Sequence, residues 1–436
     1  MTKLRAWKYF SLVMTLMLVL GLCSVPGSLG CSWLNRDQVV TVPDDGLEAA
    51  IREALNKPEG DLYASELAYL PELDAVARGI EDLQGLEYCN NLSVLNLAAN
   101  EISDISPTAN LEGLTVLVLA ENEISDISPL VNLTNLIWLE LRGNQISDVS
   151  PLASLTNLTW LGLSQNQISN ILPLADLTNL TLLSLSENEI SDISPLTNLT
   201  NLTTLSLSEN QIRDISPLTN LTNLTGLGLK DNQISDIYSL ANLTSLMELN
   251  LANNQISRIS PLANLSSLTE LGLEANQISD ISPLADLTSL ALLSVSDNQV
   301  NNISSLAKLT NLTELGLGDN QISDISPLSS LTSLTTLSLS ENQISNISPL
   351  ANLTGLIELG LGDNQISDIS SLSNLNKLEW LALGNNQITD IKALVDNEGL
   401  SDGDEVDLRG NPLNSYSLDT YIPQLEERGV NVLYDV

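Results

Sequence analysis

Asn100, Asn122, Asn144, Asn166, Asn188, Asn210 and Asn232 lie 22 residues apart, and the series runs on without insertion through Asn254, Asn276, Asn298, Asn320, Asn342, Asn364 and Asn386. No other feature of this 436-residue chain constrains its fold as much. Length alone would predict two or three globular domains. Fourteen equal units predict one stack instead, in which no unit can bury its apolar face without its neighbours.

Around each asparagine runs one pattern, L-x-x-L-x-L-x-x-N-x-I-S-D-I-S-P-L-x-N-L-T, as Leu136, Leu139, Leu141, Asn144, Ile146, Val149, Leu152 and Leu155 show. The L-x-L step has period two and predicts a short strand with its leucines inward. The asparagine turns the chain and bonds backbone groups of adjacent coils. Proline in I-S-D-I-S-P-L fits neither a central strand nor a helix interior, so tight or 3₁₀ turns are expected on the back. Leu130 and Leu133 then return to the core. Period and signature are those of a leucine-rich repeat. The fold class is an α/β leucine-rich repeat solenoid: a curved right-handed coil with a parallel β-sheet on its concave face, short 3₁₀ or turn segments on its convex face, and helical caps.

The ends are degenerate, as capping requires. Leu70, Leu73, Arg78, Ile80 and Leu83 keep the register with Arg78 in the asparagine column, and Leu400, Val406, Leu408 and Asn411 form a last copy displaced by three residues. Pro43 to Leu55 reads as a capped amphipathic helix, Ser417 to Arg428 as another, and Val430 to Leu433 as a closing strand. The organisation is a leader over 1–30, an N-terminal helical cap over 31–69, the array over 70–395, and a degenerate last repeat with its cap over 396–436.

Lys3, Arg5 and Lys8 precede an apolar run from Phe10 to Leu22 and a small-residue exit to Gly30, the layout of a secretory signal. The run is short for a membrane span. Cys31 follows Gly30 and resembles a lipoprotein cleavage site, although Ser28 stands where that motif wants an aliphatic residue; Cys23 has the reverse fault at Leu22. Lipidation at Cys31 and ordinary cleavage near Gly30 both remain open, and the only membrane contact expected is such an anchor. Cys89 has no cysteine partner in the body of the chain, and no cation beside it would activate the thiol, so a buried apolar role is expected.

Charge narrows function. The chain has 54 Asp+Glu, 16 Lys+Arg and no His, a net −38, which becomes −41 once the leader's three cations are removed. No imidazole means no Ser-His-Asp or Cys-His chemistry. So acidic a surface disfavours nucleic acid. Carboxylate pairs can hydrolyse glycosides, but nothing interrupts the repeats to build a pocket, so no enzyme, cofactor or metal site is expected.

The repeat closely resembles that of the internalins and related bacterial surface leucine-rich proteins, over about residues 40 to 436. Gly79-Ile80-Glu81-Asp82-Leu83-Gln84-Gly85-Leu86-Glu87-Tyr88 looks like the family's entry into its first repeat, and Asp407-Leu408-Arg409-Gly410-Asn411-Pro412-Leu413 extends the likeness near the end. The resemblance implies an extracellular solenoid that binds a macromolecule on its concave sheet. The sequence departs from wall-anchored members in ending at Val436 without a sorting motif, so wall anchoring is not expected. A non-exported relative of the same repeat type regulates protein phosphatases; the leader argues against that role.

Concave positions fall six, four and two residues before each asparagine. The first of these columns holds Val94, Val116, Trp138, Trp160 and Leu182, then Glu248, Glu270, Glu314, Glu358 and Trp380 further on. Val94, Val116, Val118, Trp138, Trp160 and Leu182 form an apolar strip in the first third of the array, with Glu140 and Arg142 beside it. Clustered apolar surface marks binding sites, and Trp and Arg are enriched at hot spots. A protein ligand there is the leading expectation, on a monomer; a sugar stacked on the two tryptophans and a spacer without a ligand are the alternatives. The glutamate line, with Glu187, Glu209, Asp231, Asp297, Asp319, Glu341 and Asp363 just before the asparagines, predicts an acidic trough. Solubility is the leading role for it, with a basic partner or loosely held Ca²⁺ as alternatives. Asp104, Asp126, Asp148, Asp192, Asp214 and Asp236 are expected to cap turns. The Asn-Leu-Thr sequons at Asn132, Asn157, Asn179 and Asn198 fall out of the repeat.

Overall fold

The structure is a computed structural model that describes residues 37–435. The leader, Cys23 and Cys31 lie outside the described residues. Seventeen three-residue strands, from Glu72–Asp74 to Asn431–Leu433, form one parallel sheet. Neighbours across the regular array pair residues 22 apart, as in Val116↔Trp138↔Trp160↔Leu182. The sheet is open: the first strand pairs only with Val94–Asn96 and the last only with Glu405–Asp407.

The central residue of each strand points inward, leucine in all but the last two, where it is Val406 and Val432. Leu117, Leu139, Leu161 and Leu183 are fully buried, as are Leu130, Leu133 and Leu136 from the back and the approach to the next strand. The expected 3₁₀ turns are present, for example Ser128–Asn132 with Pro129 in its first turn. Cys89 is part of this core, and burial pushes its thiol up to about 12, which leaves it unreactive.

The asparagine column is a buried ladder. Asn122 Oδ1 accepts from Ile102 N at 3.0 Å, while Nδ2 donates to Leu97 O in the preceding coil and to Leu119 O and Ala120 O in its own. The same bonds recur down to Asn411. One amide thus satisfies backbone groups of two coils that no water reaches. The residue before each asparagine turns with positive φ, between 49° and 58° where it is not glycine. This corrects the trough: Glu187, Glu209, Asp231, Asp297, Asp319, Glu341 and Asp363 occupy left-handed turn positions past the strand rather than its face.

Two of these sequons have a structural use. At Asn179-Leu180-Thr181 the amide donates to Thr156 O at 2.8 Å and the hydroxyl to Thr159 O at 3.0 Å, so both polar side chains bond the preceding coil. Asn157 does the same with Thr134 O.

The caps follow expectation with additions. Asp44 caps the helix Asp45–Ala54, accepting from Leu47 N, and Leu47, Ala50 and Ile51 are buried at the array's end. An unanticipated antiparallel pair, Val39–Val40 with Leu62–Tyr63, and a short helix Ala64–Leu67 complete that cap. At the other end Ser417–Tyr421 is a π turn running into the helix Ile422–Glu427, which packs on the last strand. A helix packs against each end strand, which limits edge pairing.

Candidate functional site

The strands Trp138–Glu140 and Trp160–Gly162 carry the site. Leu139 and Leu161 point into the core, so pleat alternation turns Trp138, Trp160, Glu140 and Gly162 to the concave side. The two indoles stack, ring centroids 4.0 Å apart and planes 4° from parallel. That separation is less than the strand spacing of about 4.8 Å. The ring faces therefore meet each other along the array. Both rings are half-buried. Trp138 Nε1 is buried without a hydrogen-bond partner.

The strip is not uniformly exposed. Val94 and Leu182 are half-buried, as expected of a surface border. Val116 and Val118 are instead buried, at 8% and 5% exposure, which corrects their reading as open surface. Each is in register with a larger neighbour one strand on, Val116 with Trp138 and Val118 with Glu140.

Glu140 folds across the next strand. The space is available because its register partner is Gly162, where a Cβ would lie 2.6 Å from Glu140 Oε2. Burial pushes the Glu140 carboxyl up to about 7, against the pull of the Arg142 N–H at 2.9 Å and the Arg142 charge. The Arg142 guanidinium turns away along the rim, donating from Nε to Gln165 Oε1 at 2.8 Å and lying 3.4 Å from Glu121 Oε1. Gln165 in turn donates to the Glu187 carboxylate. Beyond Leu182 the floor becomes hydroxyls, with Ser164 Oγ 2.7 Å from Ser184 Oγ and Ser186 Oγ 2.6 Å from Ser206 Oγ. Sequence reasoning placed Glu140 and Arg142 here but missed Gly162, whose only signal is its position 22 residues after a large acidic side chain.

The remaining site residues lie apart. Glu248, Glu314 and Glu358 are exposed on the concave strands and Glu270 is half-buried, with Glu248 and Glu270 directly in register. Trp380 is 42% exposed but eleven coils from Trp138, so it belongs to no common patch with the stacked pair. The turn aspartates cap as expected: Asp126 Oδ1 accepts from Ser128 N at 2.8 Å and Oδ2 from Ser128 Oγ at 3.0 Å.

Comparison with known proteins agrees with this architecture. The family described as leucine rich repeats (2 copies) matches in overlapping stretches over 156–286 and 288–396, and a second leucine rich repeat family matches 90–146 and 112–168. No curated protein sequence matches the chain. Among solved structures, an internalin (inlF) from Listeria monocytogenes is 44% identical with a TM-score of 0.72, covering 74% of this chain and 96% of that one. A leucine-rich repeat protein of Leptospira interrogans is 26% identical with a TM-score of 0.76, covering 84% and 97%. A plant peptide hormone receptor, RGFR1, solved in complex with RGF2, is 21% identical with a TM-score of 0.67, covering 86% and 67%, a likeness of fold alone. Arrays of this type are protein-interaction scaffolds with extended binding faces. The repeat recurs over most of the described residues and an internalin is matched almost end to end, so the chain belongs to the internalin-like leucine-rich repeat proteins.

Proposed function

We propose that this protein is exported and binds a protein partner on its concave face, through the patch formed by Trp138, Trp160, Glu140 and Arg142 with Val94 and Leu182 at its borders. The stacked indole pair carries this reading. It is a large, rigid aromatic surface in a sheet otherwise dominated by Ser, Thr, Gly and Glu. Stacking and the Gly162 cradle hold the side chains in place before binding, which lowers the ordering cost of association. Trp and Arg are the residues that dominate interface energetics. Sugar stacking would need a free ring face, and the stack already takes one face of each ring. The glutamate line from Glu248 to Glu358 serves solubility and rejects acidic partners. Export rests on the leader-like segment 1–30, with lipid attachment at Cys31 as its variant.

The test uses the chain lacking residues 1–30 against a library of extracellular proteins. Trp138→Ala with Trp160→Ala should weaken the partner so found by at least about tenfold, or 1.4 kcal/mol, without changing the thermal transition. Neutralising Glu248, Glu270, Glu314 and Glu358 to Gln should leave it within a few-fold. Unchanged affinity in the double tryptophan variant overturns the site. The mass of the exported chain separates cleavage near Gly30 from lipid on Cys31.

A further inference from the structure

The back of the array is as regular as its front, and two of its departures fall side by side. Position three after the asparagine is Ser in eleven of fourteen copies but Arg213 after Asn210. Position six is also Ser in eleven but Tyr238 after Asn232, and Ser239 replaces the following Pro. These residues lie in adjacent coils. With Asp214, Asp236 and Asn242 they line a cleft of about 410 Å³, within the range of small-ligand sites. Tyr238 is 77% exposed, the second most exposed large apolar side chain of the described residues.

The polar groups around the ring are only partly spent. Asp236 Oδ1 accepts from Tyr238 N at 2.9 Å, but the serine hydroxyl that holds the second oxygen of Asp126 is lost where Tyr238 replaces it. Arg213, which lines the cleft, uses Nε on Gln233 Oε1 at 2.8 Å and leaves its terminal nitrogens without a bond. Asn242 adds an amide that both donates and accepts. Two carboxylates beside one guanidinium give no excess positive charge, so a phosphate or sulfate has no advantage here. The 3₁₀ backs offer no strand edge for a peptide to extend.

We propose that the cleft around Tyr238 binds a neutral pyranose unit of an oligosaccharide, whose C–H face lies on the phenol ring and whose neighbouring hydroxyls pair with Asp236, Arg213 and Asn242. This convex site is independent of the concave protein-binding patch.

A printed array of neutral glycans, followed by saturation-transfer NMR on any bound sugar, tests it with the full protein. Tyr238→Ser restores the residue that eleven other copies fold with, and should lower binding at least about tenfold. Asp236→Asn keeps the cap, as Asn170, Asn302 and Asn346 do, and should weaken binding less. The Trp138→Ala, Trp160→Ala variant should bind the sugar as the parent does. The proposal is overturned if no neutral glycan binds, if binding survives Tyr238→Ser, or if only the tryptophan variant loses it.

Discussion

Gly162 is the floor on which the Glu140 carboxylate rests: the two are in register on adjacent strands, and a Cβ at 162 would lie 2.6 Å from Glu140 Oε2. The obstructing atom is the end of a flexible side chain, so Gly162→Ala should displace Glu140 rather than the backbone. The displaced carboxyl regains water, and its pKa should fall from about 7 towards the ordinary glutamate range near 4.3. NMR titration of Glu140 in the two proteins reads the shift directly; an unmoved pKa would refute the cradle.

The same group makes stability depend on pH in a defined direction. Its folded pKa is raised, so the native state holds a proton the unfolded chain releases, and stability from this group is full below about pH 4.3 and lost progressively up to about pH 7. Glu140→Gln keeps the shape of the protonated acid. Its urea midpoint should match the parent's at pH 4.5 and exceed it at pH 8, with equal m-values. A difference of the same size at both pH values would refute the burial argument.

The turn aspartates run the opposite way. Bonds from Ser128, Ser194 and Ser216 hold Asp126, Asp192 and Asp214 below the usual aspartate range, with Asp280, Asp324 and Asp368 held likewise by their serines. Depressed folded pKa values contribute stability above the ordinary aspartate value, near 3.9, that is lost as pH falls through the lowered ones. Replacing all six with Asn keeps the backbone bond and removes the titration. Circular dichroism between pH 5 and 2 should show a flatter acid limb than the parent's.

What could be read beforehand follows from the geometry of a repeat. Inward and outward positions are set within a coil, and fourteen copies of the Leu and Asn pattern assign them together. Contacts between coils depend on pairs 22 residues apart and are not visible in the consensus. Hence Val116 and Val118 look exposed along their own strand, yet they are buried beside larger register neighbours, Trp138 and Glu140. The left-handed turn before each asparagine was hidden for another reason: Glu and Asp occupy it in most copies, where glycine would have announced it at Gly143 alone. The cap strand Val39–Val40 is too short to leave a period.

Asn232 tests how much the ladder contributes. It accepts from Ile212 N at 3.0 Å and donates to Leu207 O and Leu229 O. Asn232→Ala leaves buried backbone groups of two coils unpaired at about 1–3 kcal/mol each. A total loss of about 3 kcal/mol or more is expected by urea unfolding, without change in the neighbouring strands' register. A loss under 1 kcal/mol would mean water replaces the amide.

Two coils carry a correctable defect. Ser305 and Ser371 stand where ten copies have proline in the first turn of the 3₁₀ segment, and their buried hydroxyls have no hydrogen-bond partner. Proline fits that position without losing a bond, since Pro327 and Pro349 occupy it in coils of the same form. Ser305→Pro and Ser371→Pro remove the unpaired hydroxyls and restrict the unfolded chain, so each should stabilise by about 0.4–1 kcal/mol. The sites are three coils apart, so the gains should add. Thermal unfolding of the single and double variants checks both the sign and the additivity; a lowered transition in either single variant would show that the serine N–H has a use the proline copies lack.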